Sequence, residues 1–234
     1  MIGIIGAMEV EMEALRALLE DRQDTELGTN VFSTGLLFGR EAVLAVCGCG
    51  KVNAALCTQQ MILTWHPEAI LNIGVAGGAD PGLHIGDIVV GTAAVQHDMD
   101  TTPMGDPIGY VSKIGVVEFP CDPDLRARLK EAAGAIPDIR VLEGVIATGD
   151  QFVNQPARTA WIRETFHAAA VEMEGAAVAH ACLLHGVPCG VLRSISDGAN
   201  DDSGMDFAAF TRMAAGHAQR VVEHLLTGRE GEEA

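Results

Sequence analysis

Basic residues are scarce in this sequence. Fifteen Lys and Arg residues stand against 32 Asp and Glu residues, which gives a formal net charge of −17 at pH 7. No cluster of Lys or Arg could follow a phosphate backbone, so nucleic acid is an unfavourable partner. An anionic membrane surface is disfavoured for the same reason. A small neutral or cationic ligand is the better expectation.

Long apolar runs are also absent. No stretch approaches the roughly 20 apolar residues of a transmembrane helix, and the start MIGIIGAMEVEMEAL lacks the basic and long apolar parts of a signal peptide. The six cysteines are therefore expected to be reduced thiols, and Cys47 and Cys49 have no second pair at zinc spacing. These absences predict a cytoplasmic protein without a metal site or cofactor.

The chain does contain ample material for a core. Hydrophobic residues make up 48% and charged residues 20%, a balance that argues against disorder. Strand-like and helix-like segments alternate from end to end, which predicts an α/β fold. We expect one three-layer domain over residues 1–228, with a central mixed, mostly parallel sheet flanked by helices. Residues 229–234 read as a solvated tail.

The individual elements follow from hydrophobic periodicity and from turn residues. Strands are predicted at 2–6, 68–78, 86–98, 167–173 and 187–200, with another at the start of 139–152 and a hairpin over 29–50 that turns at Gly39-Arg40. Helices are predicted at 8–21, 51–67, 122–134, 156–166, 174–186 and 206–226, and residues 105–119 as a loop. In such folds the ligand binds beyond the carboxyl ends of the strands.

Glycines and carboxylates gather at those strand ends. Glu9, Glu11, Glu174 and Asp197 all follow apolar strands and are expected to share one rim. Each also has a plain structural explanation, because acids favour the first turn of a helix and aspartate caps turns. Arg193 could be a structural ion-pair partner for any of them.

Two glycine-containing runs do not match the nucleotide-binding motifs that they resemble. The run NIGVAGG (72–78) lacks the G-x-G-x-x-G pattern with a downstream acid that a dinucleotide site needs. The run CGCGK (47–51) lacks the first glycine and the final Ser or Thr of a P-loop. Neither a dinucleotide nor a nucleoside triphosphate is therefore indicated.

Taken together and in order, the motifs resemble those of the 5′-methylthioadenosine/S-adenosylhomocysteine nucleosidases of the nucleoside phosphorylase/hydrolase superfamily. The resemblance runs from residue 1 to about residue 224. It is carried by IGIIGAMEVEMEAL, CGCGKVNAAL, NIGVAGG, GDIVV, HDMD, TGDQFVN, VEMEGAAVAH and RSISDGAND.

This resemblance implies a glycosidic-bond hydrolase that releases adenine and a 5-substituted ribose through an oxocarbenium-like transition state. Asp197 matches the general acid at adenine N7, a role that requires a pKa raised well above about 3.9, and Ser196 is its neighbour. Glu11 matches the general base, with Arg193 nearby to position the attacking water and the carboxylate. Glu174 matches the acceptor of the ribose hydroxyls.

Further substrate contacts are implied by the same resemblance. Met173 is expected along the ribose and Phe152 is expected to stack on adenine, while the main chain of Val153 reads the base edge. A homodimer is implied, in which residues 101–113 reach the 5′ pocket of the other subunit. The remaining residues assigned to substrate binding, mainly in the 5′ pocket, are Met8, Cys49, Gly77, Phe207 and Met104.

Three departures from the family pattern leave the 5′ substituent open. Val75 and Cys49 stand where a hydroxyl residue and a branched aliphatic residue are usual, and residues 101–113 contain fewer aromatics than expected. The alternatives are 5′-deoxyadenosine as a substrate, an aminodeoxyfutalosine nucleosidase, a purine nucleoside phosphorylase, or a non-catalytic purine sensor. Glu9 and Glu11 would repel phosphate in the first loop, which favours water as the nucleophile. No role is predicted for Glu172.

Overall fold

The helices and strands follow the predicted alternation. The computed structural model describes residues 1–137, 139–198 and 207–228. The strands are β1 (Ile2–Gly6), β2 (Glu20–Leu27), β3 (Asn30–Leu37), β4 (Arg40–Val46), β5 (Ala69–Gly78), β6 (Ile88–Gln96), β7 (Glu118–Pro120), β8 (Val141–Thr148), β9 (Ala168–Glu172) and β10 (Cys189–Gly198). The helices are α1 (Glu9–Ala17), α2 (Lys51–Trp65), α3 (Pro123–Gly134), α4 (Pro156–Phe166), α5 (Gly175–His185) and α6 (Phe207–Thr227).

The first helix is shorter than predicted, and a strand follows it. Helix α1 ends at Ala17, and the acidic segment at 20–27 forms β2. Seven of the eight β2 residues are exposed, so no buried face marks the strand in the sequence. It is held by antiparallel pairing to β3, from Gln23 opposite Thr34 to Leu27 opposite Asn30. Charged residues are typical of such edge strands.

The predicted hairpin turn and helix cap form at or near their predicted positions. The β3–β4 hairpin turns at Phe38 and Gly39, which have φ angles of 51° and 77°, one residue earlier than expected. Two successive residues with positive φ form the tight turn whose twist matches that of the flanking strands. Asp122 caps α3, because its Oδ1 accepts the N–H of Leu125 at 2.8 Å.

The sheet is mixed, as predicted, and part of it closes on itself. In the described residues the strand order is β10-β6-β8-β9-β5-β1-β4-β3-β2, and β10 also pairs with β5. The strands β5, β9, β8, β6 and β10 thus form a ring, from which β1 to β4 extend. The first half of β5 pairs with β1 at Ile2–Ile5, whereas Gly77 and Gly78 pair with Val171 and Ala170 of β9.

Helices cover both faces of this sheet and complete the three layers that the sequence predicts. On one face α2 and α5 pack against the core through Cys57, Met61 and Val178. On the other face α1, α3 and α6 contribute Leu15, Leu129 and Val221. All six cysteines are free thiols. Within the described ranges, no helix has the length and apolar character needed to span a membrane.

Candidate active site

A pocket opens where β5 exchanges its neighbour β1 for β9. Its floor is the end of β5, and its walls are the ends of β9 and β10 together with the chain segments that follow β1, β4, β8 and β9. This is the strand-end position predicted for a ligand. The lining residues are Ala7, Met8, Glu11, Cys49, Val75, Ala76, Gly77, Gln151, Phe152, Val153, Val171, Glu172, Met173, Glu174, Ser196 and Asp197.

Glu11 is held at the base of the pocket by backbone N–H groups. Its Oε2 accepts the N–H of Ala7 at 2.7 Å and that of Met8 at 2.9 Å. Its Oε1 accepts the N–H of Val75, on β5, at 3.0 Å. Burial raises the pKa of Glu11 above its ordinary value, against the hydrogen bond from Met8 and the charge of Arg193. The carboxylate is fixed in position and more basic than a surface glutamate.

Two glycines of β5 separate the two acids assigned to catalysis. Glu11 lies against Gly74, and Asp197 lies against Gly77, where an added Cβ atom would be 3.3 Å from Oδ2. Three residues of strand span about 10 Å, which leaves room for a nucleoside between the two carboxyl groups. Asp197 Oδ1 accepts the hydroxyl of Ser196 at 2.8 Å, so the neighbour predicted from sequence orients this side chain.

Glu174 lies just beyond the end of β9, as the N-cap residue of α5. Its Oε1 accepts the N–H of Gly50 from the loop after β4 at 2.7 Å. Burial and then the negative charge of Glu172 raise its pKa to about 7. Glu174 therefore titrates near neutral pH on the pocket wall.

Arg193, which the sequence places near Glu11, forms its ion pair with a different carboxylate. It is 1% exposed, and its guanidinium donates to Glu172 Oε2, at 2.5 Å from Nη2 and 3.2 Å from Nε. Nη1 donates to the carbonyls of Asn72 and Leu192. The carboxylate that pairs with Arg193 is that of Glu172 on β9, a strand that β5 separates from β10. Only the charge of Arg193 acts on Glu11, where it lowers the pKa.

The loops after β4 and β8 are tied together at the rim. Lys51 donates to Asp98 at 2.7 Å, and Asp98 accepts the N–H of Asp150 at 2.9 Å. Asp150 in turn accepts the N–H of Lys51 at 2.8 Å. This cycle fixes the loop that carries Cys49 relative to the segment that carries Phe152, which is 63% exposed on the pocket wall.

The structure brings together most of the residues that the sequence assigned to the site. Glu11, Met173, Glu174, Ser196 and Asp197 line the pocket, as do the remaining assigned residues Met8, Cys49, Gly77, Phe152 and Val153. Met104, which was assigned to the 5′ pocket of the other subunit, is 81% exposed on a short 3-10 turn, Thr102–Met104. Phe207 begins α6, and its side chain lies outside the described residues, as does the predicted tail 229–234.

Sequence reasoning gave no role to one residue that the structure places in the pocket, Glu172. It is 7% exposed, lines the pocket and pairs with Arg193. Its position two residues before Glu174 was visible, but a strand places residues i and i+2 on one face and gives no hint that they do different work. Because the chain leaves the strand after Glu172, the two side chains point to different partners.

The pocket lining is acidic. The pocket lining contains the carboxyl groups of Glu11, Glu172, Glu174 and Asp197, and none of the described lining residues is Lys, Arg or His. In the part of the chain that the structure describes, no group of three or more His, Cys, Asp or Glu side chains is arranged to hold a metal ion. The arrangement can donate and accept protons and can stabilise positive charge on a bound molecule.

Comparison with known proteins shows the family to which this chain belongs. A family model described as the phosphorylase superfamily matches residues 1–227. The 5′-methylthioadenosine/S-adenosylhomocysteine nucleosidase of Geobacillus thermodenitrificans is 40% identical over 226 residues, which are 96% of this chain and 95% of that relative. The chain therefore belongs to the phosphorylase superfamily and, within it, to the 5′-methylthioadenosine/S-adenosylhomocysteine nucleosidases.

Two solved structures show the same fold. The nucleosidase of Neisseria meningitidis in complex with methylthio-immucillin-A matches with a TM-score of 0.92 and 35% identity, over 97% of this chain and 99% of that one. A futalosine hydrolase of Helicobacter pylori matches with a TM-score of 0.90 and 38% identity, over 96% of each chain. The expected fold class and family are confirmed.

Proposed function

We propose that this protein hydrolyses the N-glycosidic bond of 5′-methylthioadenosine and S-adenosylhomocysteine, releasing adenine and a 5-substituted ribose. The observation that carries the proposal is the pair of fixed carboxyl groups, Glu11 and Asp197, set about three residues apart along β5 in a pocket lined by acids. Family membership supports the same reaction.

On the adenine side, Asp197 is the general acid. It protonates N7 as the glycosidic bond breaks, so adenine leaves as a neutral base. Ser196 donates its hydroxyl to Oδ1 and leaves Oδ2 toward Gly77, which fixes one oxygen for the proton transfer. Phe152 stacks on the base from the exposed wall, and the main chain of Val153 contacts its edge.

On the ribose side, Glu11 activates the attacking water and Glu174 accepts the ribose hydroxyls. Three backbone N–H groups hold the Glu11 carboxylate, so it meets the water in one orientation. The negative charges of Glu11 and Glu174 also favour the cation that develops on the sugar. Met173 packs along the ribose, while Arg193 acts on Glu11 through its charge.

Hydrolysis is favoured over phosphorolysis by the same charges. A phosphate under the ribose would meet Glu11 and Glu174, with no basic side chain among the described lining residues to offset them. Arg193, the nearby buried cation, is already paired. Water is the better nucleophile for this pocket.

A second candidate is the hydrolysis of aminodeoxyfutalosine. It is favoured by the likeness to a futalosine hydrolase and by Val75 and Cys49 on the pocket wall, where this chain departs from the family pattern. The adenine and ribose contacts would be unchanged. The two candidates differ only in the group attached at the 5′ carbon.

The assembly and setting belong to the same proposal. We expect a cytoplasmic homodimer that acts in methionine salvage, in which residues 101–113 complete the 5′ pocket of the other subunit. Two features support a dimer: Met104 is 81% exposed, and Val52, Leu56 and Leu184 present apolar side chains at the surface of α2 and α5.

One substrate panel tests the proposal. Adenine release is measured from 5′-methylthioadenosine, S-adenosylhomocysteine, 5′-deoxyadenosine and aminodeoxyfutalosine, with and without phosphate. The proposal expects phosphate-independent release from the first two. Turnover of aminodeoxyfutalosine alone would establish the second candidate, and a product that is the 1-phosphate of the 5-modified ribose would show a phosphorylase.

A further inference from the structure

Glu172 is the buried charged residue of the pocket to which the proposed chemistry gives no task. We propose that it is a positioning residue, which caps helix α5 in place of Glu174 and so leaves the Glu174 carboxylate free to face the substrate. The ligand of Glu174, the ribose hydroxyls, rests on the proposed function. The positioning of Glu174 by Glu172 does not depend on it.

The hydrogen bonds at the start of α5 carry the proposal. The first N–H groups of a helix have no acceptor within it and need one from outside. Glu172 Oε2 accepts the N–H of Glu174 at 2.9 Å and that of Gly175 at 2.8 Å. The N–H of Ala176 donates to Thr148 Oγ1 at 2.8 Å, and the Thr148 hydroxyl donates to Glu172 Oε1. Glu172 and Thr148 together satisfy three successive N–H groups.

Because Glu172 and Thr148 accept these N–H groups, the side chain of Glu174 does not need to cap helix α5. The side chain of an N-cap residue, most often Ser, Thr, Asp or Asn, ordinarily accepts an N–H of the first turn. The side chain of Glu174 makes no such bond, although it is the N-cap of α5. Its Oε1 instead reaches across the pocket wall to the N–H of Gly50. The helix start and the pocket loop are joined through this carboxylate.

Glu172 is in turn held by its ion pair with Arg193. The guanidinium of Arg193 also donates to the carbonyl and side-chain oxygens of Asn72. Although burial alone would raise the pKa of Glu172, the charge of Arg193 and the Thr148 hydrogen bond hold it below the ordinary value. Glu172 therefore stays ionised beside Glu174. The titratable groups that act on Glu174 or share its pocket are Glu172, Arg193, Glu11, Cys47, Cys49 and Asp197.

A direct titration of Glu174 tests the idea without any substrate. Carbon-13 NMR of labelled glutamate carboxyls follows the midpoint, and Glu174→Gln identifies the signal. Glu172→Gln removes the neighbouring negative charge, so the Glu174 midpoint should fall by about one pH unit. Glu143→Gln, which removes a carboxylate paired with Lys130 at the opposite end of β8, is the matched control. Equal midpoints in the two variants would overturn the proposal.

A second pair of variants keeps both buried charges and covers the case in which Glu172→Gln does not fold. Thr148→Val removes the hydroxyl that links Ala176 to Glu172, and Thr148→Ser restores it. We expect the ratio of kcat/KM for 5′-methylthioadenosine to that for its 3′-deoxy analogue to fall about tenfold in the valine variant. In the serine variant this ratio should return to that of the parent protein. An unchanged preference in the valine variant would count against positioning. If the unmodified protein releases no adenine, the proposed function fails, and the titration alone decides the role of Glu172.

Discussion

The Glu11 carboxylate occupies the space that a side chain at Gly74 would need. A Cβ atom on Gly74 would lie 2.7 Å from Glu11 Oε1, closer than Cβ atoms approach other heavy atoms in proteins. The neighbouring residue Val75 donates its N–H to the same oxygen. The absence of a side chain at residue 74 is therefore a requirement of the site.

Gly74→Ala should impair catalysis more than folding. The atom that must give way is the end of a flexible side chain, so the fold can adapt, but Glu11 then loses its bonds to Ala7, Met8 and Val75. We expect kcat to fall by about 100-fold, the scale at which misplaced groups affect rates. Gly216→Ala, with nothing within 4 Å of the added atom, is the control. Comparable turnover in the two variants would argue against the role given to Glu11.

Asp197→Asn should keep ligand binding and lose nearly all turnover. The amide preserves size and can still contact Ser196, but it cannot deliver a proton to the leaving base. Calorimetric titration with 5′-methylthioadenosine measures binding, and adenine release measures turnover. Asp124→Asn on the exposed face of α3 is the matched change. Normal activity in the Asp197 variant would remove the general-acid assignment.

Substrate binding should weaken as the pH falls below about 7. Glu174 has a pKa of about 7 because of burial and the charge of Glu172. Above that pH it is a carboxylate that accepts the ribose hydroxyls, and below it the added proton removes this acceptor. KM should therefore rise by up to about tenfold for each pH unit below 7. The rise should vanish in Glu174→Gln and persist in Glu164→Gln, whose carboxyl group lies at the surface of α4.

Arg193→Met should destabilise the fold strongly. The change leaves Glu172 buried without its counter-charge, a situation that costs about 3–5 kcal/mol. Arg22→Met breaks the exposed pair with Asp24 and should cost about 1 kcal/mol or less. Urea unfolding at pH 8 compares the two. Equal losses would mean that the Glu172–Arg193 pair contributes no more than a surface pair.

Leu56→Glu should disrupt the proposed dimer. Leu56 on α2 is 57% exposed and lies in a shallow groove that also contains Leu184 of α5. A buried charge at an apolar interface is costly, so sedimentation velocity should show monomers. Leu18→Glu is the control, because Leu18 is 52% exposed at the end of α1, on the other face of the sheet. A monomeric parent protein would refute the assembly.

Much of the fold could be read from the sequence because the apolar strands are buried and bounded by glycine and proline. Strand β5 is an example, since its run AILNIGVAGG is apolar for most of its length and ends in glycines. Strand β2 could not be read, because backbone pairing to β3 holds it and its side chains face solvent. Ring closure through β5 and β10 could not be read either, since it depends on pairing between distant segments.

Part of the site could likewise be predicted from the sequence, and part could not. The placement of Glu11, Glu174 and Asp197 in one pocket was predicted because each lies at or just after the end of an apolar strand, where ligands bind in this class of fold. The partner of Arg193 was not found, because sequence spacing does not say which of several nearby carboxylates a buried arginine will take. Geometry selects Glu172, whose backbone register against Thr148 brings it to the end of β9.

The cycle of Lys51, Asp98 and Asp150 limits how new specificity can arise in this protein. It couples the wall that carries Cys49, which we propose to face the 5′ group, to the segment that carries Phe152, which we propose to face the base. A substitution that widens one wall should therefore also displace the other. Changes toward a bulkier 5′ group therefore carry a penalty in adenine recognition, and variants with altered preference should need compensating changes in both loops.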